Sequence, residues 1–255
     1  MCLILLAWQA HPDFPLVVAA NRDEFFARPT APAAFWPEAP EVLAGRDLAA
    51  GGSWLGITRR GRFAALTNFR DPYRQRPEAP SRGRLVADFL TTDVAIEDFL
   101  DSLDAAAYNG FNLLLGDGKR LFAFSNVTLR RHELAPGVYG LSNALLDTPW
   151  PKVGRAKAAL AAALDALPDE AALWRLLADD TVFPDEALPS TGVSLEWERL
   201  LSAAFVRGRD YGTRASTVLK VGAGGTAPYV TFDEQTWLPG GQAGARRRFR
   251  FSVTR

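Results

Sequence analysis

The sequence predicts an α+β fold in which mainly antiparallel sheets are flanked by helices. Three observations lead there. Short apolar runs bounded by turn residues recur along the chain. They come as hairpins instead of alternating regularly with helices, which disfavours a doubly wound parallel sheet. Helix-forming stretches gather in two blocks, giving the order strands, helices, strands, helices, strands. No internal repeat, heptad run or change of composition marks a linker, so residues 1–255 are expected to form one domain.

The elements follow in order. Leu3 to Trp8 is an unbroken apolar run and reads as a fully buried strand. It resembles a secretory leader only superficially, since no basic residues precede it and no small-residue cleavage site follows. His11-Pro12-Asp13 makes a turn, and Leu16 to Ala20 supplies the second strand of a hairpin. Asn21-Arg22-Asp23-Glu24 comes next, four polar groups at the end of a buried strand, where unpaired charge is costly. The proline-rich stretch from Arg28 to Pro40 is expected to be irregular. Gly51 to Thr58 and Phe63 to Asn68 read as strands joined by a turn at Gly61, and helices are expected near Arg84 to Leu90 and Val94 to Leu103. The clearest hairpin is Phe111 to Leu115 with Leu121 to Ser125, turning through Gly116-Asp117-Gly118. Val138 to Asn143 reads as a strand. Ala156 to Leu167, Glu170 to Ala178 and Leu195 to Phe205 read as helices. Strands return at Thr217 to Val221, Tyr229 to Phe232 and Arg248 to Val253.

Composition narrows the functional classes. With 29 basic and 29 acidic side chains there is no electrostatic footprint for nucleic acid or anionic lipid. One Cys and two His cannot complete a four-ligand zinc site, and one Cys cannot form an internal disulfide. No cofactor or metal is expected, a reducing cytoplasm is the expected compartment, and no apolar run reaches the ~18 residues of a membrane span. Among the basic residues only Lys119, Lys152, Lys157 and Lys220 are lysine, which reads as a codon-bias imprint. The expected partner is a small-molecule substrate or hydrophobic ligand.

Cys2 carries the most information because of its position. With a small residue second in the chain, removal of Met1 is expected, leaving the Cys2 thiol beside a free α-amine. That amine has a pKa of about 7.7 to 8.0 and the thiol one of about 8.5, so a proton passes between them at little cost. One residue then holds both nucleophile and base, which suits a chain nearly without histidine. The alternative is that Cys2 is a small buried hydrophobe at the start of a strand. If the segment after the second strand is extended, Asn21 and Asp23 share one face and Arg22 and Glu24 the other. Asp23 would then accept a bond from the terminal ammonium or the thiol; a self-satisfied turn of ion pairs is the competing reading. Asn68 and Asn143 each end a strand and offer neutral amide donors to an oxyanion, or are simply turn residues. Arg214, read as standing before a strand, would hold a carboxylate of substrate or of Asp23, or lie on a surface loop. Trp54 reads as core or pocket wall.

In order along the chain stand Cys2, Asn21-Arg22-Asp23-Glu24, Gly51-Gly52-Ser53-Trp54-Leu55-Gly56, Leu66-Thr67-Asn68-Phe69-Arg70, Tyr139-Gly140-Leu141-Ser142-Asn143, Asp147-Thr148-Pro149-Trp150-Pro151-Lys152 and Tyr211-Gly212-Thr213-Arg214. In this set the chain resembles the NRDE family, also called the transport and Golgi organisation 2 family. The resemblance implies an N-terminal nucleophile (Ntn) hydrolase-like αββα sandwich. More loosely, the chain is similar to the choloylglycine and penicillin V acylases, whose nucleophile matches Cys2 and whose aspartate matches Asp23. Their oxyanion asparagine matches Asn68 or Asn143, and their late arginine matches Arg214. Those acylases carry arginine directly before the asparagine of this motif, where this chain has Ala20, so substrate recognition by Asn21, Arg22 and Trp54 is expected to differ. Two functions follow as expectations. One is hydrolysis of linear amide C–N bonds through an acyl-enzyme at Cys2. The other is non-catalytic carriage of haem or a lipid, with Cys2 or His132 as iron ligand.

Overall fold

The computed structural model describes residues 2–225 and 227–254. The chain opens with the predicted hairpin, β1 (Cys2–Trp8) and β2 (Leu16–Phe25), and then builds a second sheet as one continuous meander. This meander runs β3 (Thr30–Trp36), β4 (Ala39–Asp47), β5 (Leu55–Thr58), β6 (Phe63–Asn68), β7 (Phe111–Gly116), β8 (Leu121–Ser125) and β9 (Arg130–Glu133), with helices α1 (Gly83–Leu90) and α2 (Ile96–Asp101) inserted between β6 and β7. β10 (Gly137–Leu141) returns to the first sheet. Helices α3 (Pro151–Leu164), α4 (Ala171–Leu177) and α5 (Leu195–Leu200) follow, then β11 (Tyr211–Gly222), β12 (Tyr229–Leu238) and β13 (Gln242–Ser252). The first sheet has the order β10-β1-β2-β11-β12-β13, and every pairing in both sheets is antiparallel.

Period-two alternation makes the layers. Leu3, Leu5 and Ala7 of β1 join Val17 and Ala19 of β2 beneath α3 and α4, against Val153, Leu160 and Leu173. Ile4, Leu6 and Trp8 with Leu16, Val18 and Ala20 point the other way, into a core shared with Leu43, Ile57, Phe63 and Leu114 of the second sheet. That sheet's outer face is covered by Leu85, Val86 and Phe89 of α1 and by Ile96 and Leu100 of α2. Helix, sheet, sheet, helix is the αββα sandwich the family resemblance implies. The apolar run of β1 is thus explained by burial on both faces.

Four local expectations are corrected. The stretch from Arg28 to Pro40 is not irregular, because it holds β3 and the start of β4; Pro32 is tolerated since β3 is an edge strand, and its pairing slips between Ala31 and Ala34. Asn21 to Glu24 do not follow β2 but lie within it. β11 begins at Tyr211, ahead of the expected Thr217, with a bulge that leaves Arg214 unmatched between Thr213 and Ala215. α3 starts at Pro151, where the missing N–H of proline is harmless, and so includes Lys152 in its first turn. Among the described residues no helix is long and apolar enough to cross a membrane.

Candidate active site

The hairpin sets the site. β1 and β2 pair so that Cys2 lies opposite Arg22, and β11 then pairs Thr213 with Asp23 on the other side of β2. The half-buried thiol of Cys2 reaches a cleft of about 430 Å³, walled by Arg22, Trp54, Leu66 and Asn68 and by the loop from Gln75 to Gly83. Burial pushes the thiol pKa up and the Asp23 charge adds to this, whereas the Arg22 charge and a hydrogen bond from the Asp23 backbone N–H favour thiolate. On the far side of β1, Ser142 Oγ donates to the Cys2 carbonyl at 3.1 Å and holds the strand end in place.

Asp23 points to the helix-covered face of β2, as alternation requires. Its carboxylate is 1% exposed, and Oδ1 accepts from Thr213 Oγ1 at 2.7 Å. Thr213 is fixed in turn because its hydroxyl oxygen accepts from the Val206 N–H at 2.8 Å. Burial raises the Asp23 pKa, opposed by the nearby Lys152 ammonium, the Thr213 bond and the Arg22 charge. Lys152 is itself buried and donates to the Leu201 carbonyl at 2.8 Å. Burial brings it down to about 8, against the pull of Asp23 and Cys2. Behind it Arg70 and Glu198 form a buried ion pair at 2.7 Å, with the Arg70 guanidinium 4.8 Å from the centre of the Trp150 ring.

The residues singled out in the sequence divide sharply. Asn21 is structural in its contacts: Nδ2 donates to the Leu177 and Ala204 carbonyls at 2.8 Å each, and Oδ1 accepts from Ser216 Oγ at 2.6 Å. Arg22 takes the opposite face, its guanidinium 4.3 Å from the centre of the Trp54 ring and 3.8 Å from Glu24. Trp54 fits because Gly45 lacks a side chain; a Cβ there would stand 2.3 Å from the indole. Asn68 lines the cleft. Asn143 does not, since it sits behind Asn68 and its Nδ2 donates to the Asn68 carbonyl at 2.9 Å. Arg214 is turned away from Asp23, donating to the carbonyls of Phe25 and Arg28; the bulge gives the Asp23 contact to Thr213 instead.

Sequence reading passed over Lys152, Thr213 and Arg82. Lys152 did carry a signal, because an Arg-rich chain that keeps lysine at a buried position keeps a cation able to lose its proton, which arginine cannot. Thr213 and Arg82 carried none. Met1, whose removal the sequence leads one to expect, lies outside the described residues. His132 is on β9, at the rim of a separate cleft of about 300 Å³ lined by Leu113, Ala123, Leu141, Leu145 and Leu146, so the fold does not bring it to Cys2.

Residues 1–239 match the profile of the family described as Transport and Golgi organisation 2. The chain belongs to that family. Relatives within it include the Transport and Golgi organization protein 2 homolog of Bos taurus, 41% identical over 93% of this chain and 94% of its own. The human homolog is 38% identical over 93% of this chain and 94% of its own. The Drosophila melanogaster protein is 32% identical over 87% and 88%. The chain is also similar to two solved structures at 12% identity. One is a Caenorhabditis elegans N-acylethanolamine-hydrolyzing acid amidase ortholog, with TM-score 0.48, covering 86% of this chain and 92% of that one. The other is the C2A mutant of a conjugated bile acid hydrolase from Clostridium perfringens, with TM-score 0.47, covering 99% and 92%.

Proposed function

We propose that this family member is an N-terminal cysteine hydrolase that cleaves linear amide C–N bonds through an acyl-enzyme at Cys2. The observation that carries the reading is the junction of β1 and β2: the only thiol of the chain opens into the cleft while Asp23, one residue beyond its cross-strand partner, is buried alongside. Once Met1 is removed, the Cys2 α-amine takes the thiol proton and passes it to the departing amine as the sulfur attacks the carbonyl carbon and the C–N bond breaks. Asp23 orients the amine. Asn68, on the cleft wall, donates to the oxyanion, and Asn143 holds the Asn68 backbone from behind. Water then attacks the thioester, releasing the acid and restoring the thiol.

Intact mass of the purified protein is expected to lack Met1, and an acyl electrophile is expected to add once, at Cys2. Amidase activity should fall about a thousandfold or more in Cys2→Ala, as for loss of other catalytic nucleophiles. Retained Met1, or activity indifferent to Cys2→Ala, would sink the mechanism. A second reading, carriage of a hydrophobic ligand such as haem or a lipid, is favoured by the apolar cleft beside His132. A haem titration with no Soret shift at micromolar protein would count against haem as that ligand.

A further inference from the structure

The charges around the Cys2 cleft do not cancel locally. Of its carboxylates, Asp47 accepts from Arg28 at 2.7 Å, Glu24 lies 3.8 Å from Arg22 and 4.0 Å from Arg28, and Asp23 is tied to Thr213. Arg76 donates to the carbonyls of Ala106, Ala107 and Tyr108. Arg82 is different. Among the described residues it makes one bond, from Nη1 to the Gly110 carbonyl at 3.1 Å, and no carboxylate lies within ion-pair distance of it. It lines the cleft, where burial lowers its pKa against the charge of Glu24, and it is close enough to Cys2 to feel the thiolate charge as well.

Its position is built, not incidental. Gly83, the next residue, accepts from the Ser53 N–H at 3.0 Å, and a Cβ on Gly52 would stand 2.3 Å from the Gly83 backbone. The Gly52-Ser53 loop thus clamps the chain beside Arg82 against the same segment that carries Trp54. A planar guanidinium with one donor engaged keeps the others for an oxyanion, which is the geometry arginine recognises best.

We propose that Arg82 makes the cleft selective for anions, so that the compound bound over Cys2 is an amide that also carries a carboxylate or a comparable oxyanion. This rests on the hydrolase reading for the word amide, but not for the anion site, and the test separates the two. Iodoacetate and iodoacetamide alkylate the same sulfur by displacing iodide from the same carbon, and differ in charge. Their rates at Cys2 are compared at low ionic strength. The rate ratio of iodoacetate to iodoacetamide should fall about tenfold in Arg82→Gln, which keeps a donor for Gly110, and in Arg82→Met. A general change in thiol pKa slows both reagents and cancels in the ratio. Arg131→Met, on exposed β9 and paired with Asp101, should leave the ratio unchanged. A ratio within about twofold of the parent protein in both Arg82 variants overturns the anion site. Anion preference in a protein that hydrolyses no amide sustains the site and overturns the hydrolase reading alone.

Discussion

Two faces of one short segment behave as if they belonged to different proteins. Asn21 and Asp23 look toward the helices, and their contacts are short, buried and directed at groups far along the chain. Arg22 and Glu24 look toward the cleft, and theirs are looser or local: an aromatic face, ion pairs of 3.8 and 4.0 Å, and a 2.9 Å bond that Glu24 accepts from the adjacent Phe25 N–H. The strand's alternation places scaffold and surface one residue apart. A side chain on the helix-covered face ties the sheet to distant groups, whereas one on the opposite face shapes what the cleft accepts.

The largest break in this comparison should come from Asn21→Leu. It removes three hydrogen bonds and leaves the Leu177 and Ala204 carbonyls and the Ser216 hydroxyl without their partner, so about 3 to 5 kcal/mol of stability should be lost in urea unfolding. A loss under about 1 kcal/mol would show that this face is not the scaffold.

Glu234 sharpens the contrast between the two faces, because it is buried between the sheets within reach of the Arg22 charge. Oε1 accepts from the Ala33 N–H at 2.6 Å, while Oε2 has no hydrogen-bond partner among the described residues. Burial raises its pKa from 4.5 to about 7, opposed by the Ala33 bond and by Arg22. The folded chain therefore keeps this proton where the unfolded chain has released it. Stability should be lost as pH rises from about 4.5 to about 7, a penalty of about 3 kcal/mol that is nearly complete at pH 8. Glu234→Gln should flatten that slope, measured as unfolding free energy at pH 5 and pH 8. An unchanged slope would mean that Glu234 ionises freely.

Smaller effects are expected from the cleft face. Arg22→Gln should cost about 1 to 2 kcal/mol through lost stacking on Trp54, and Glu24→Gln less than about 1 kcal/mol, in line with other loose pairs. If either destabilises as much as Asn21→Leu, the division between faces fails.

Legibility followed the range of the interactions. The hairpin of β1 and β2, that of β7 and β8, and the helical blocks were readable because their signals are local periods and turns. β3 was hidden by its proline, since position at a sheet edge, which excuses proline, is not written locally. β9 was hidden because Arg130, Arg131 and Glu133 are exposed and leave no apolar trace. In the site, Cys2 and Asp23 were legible from place and alternation. Thr213 was not, because a one-residue bulge decides whether it or Arg214 meets Asp23.

By itself the sequence determined the order of strand and helix blocks, the lone thiol at position 2 and the two-faced segment at the end of β2. These rest on local periods and on position in the chain. Only the tertiary structure decided which distant groups close around them: Thr213 on Asp23, Lys152 from the first turn of α3, and Arg82 from the loop after β6. Alternation says which way a side chain points. What stands opposite depends on strand register and loop closure, which only the packed sheets fix.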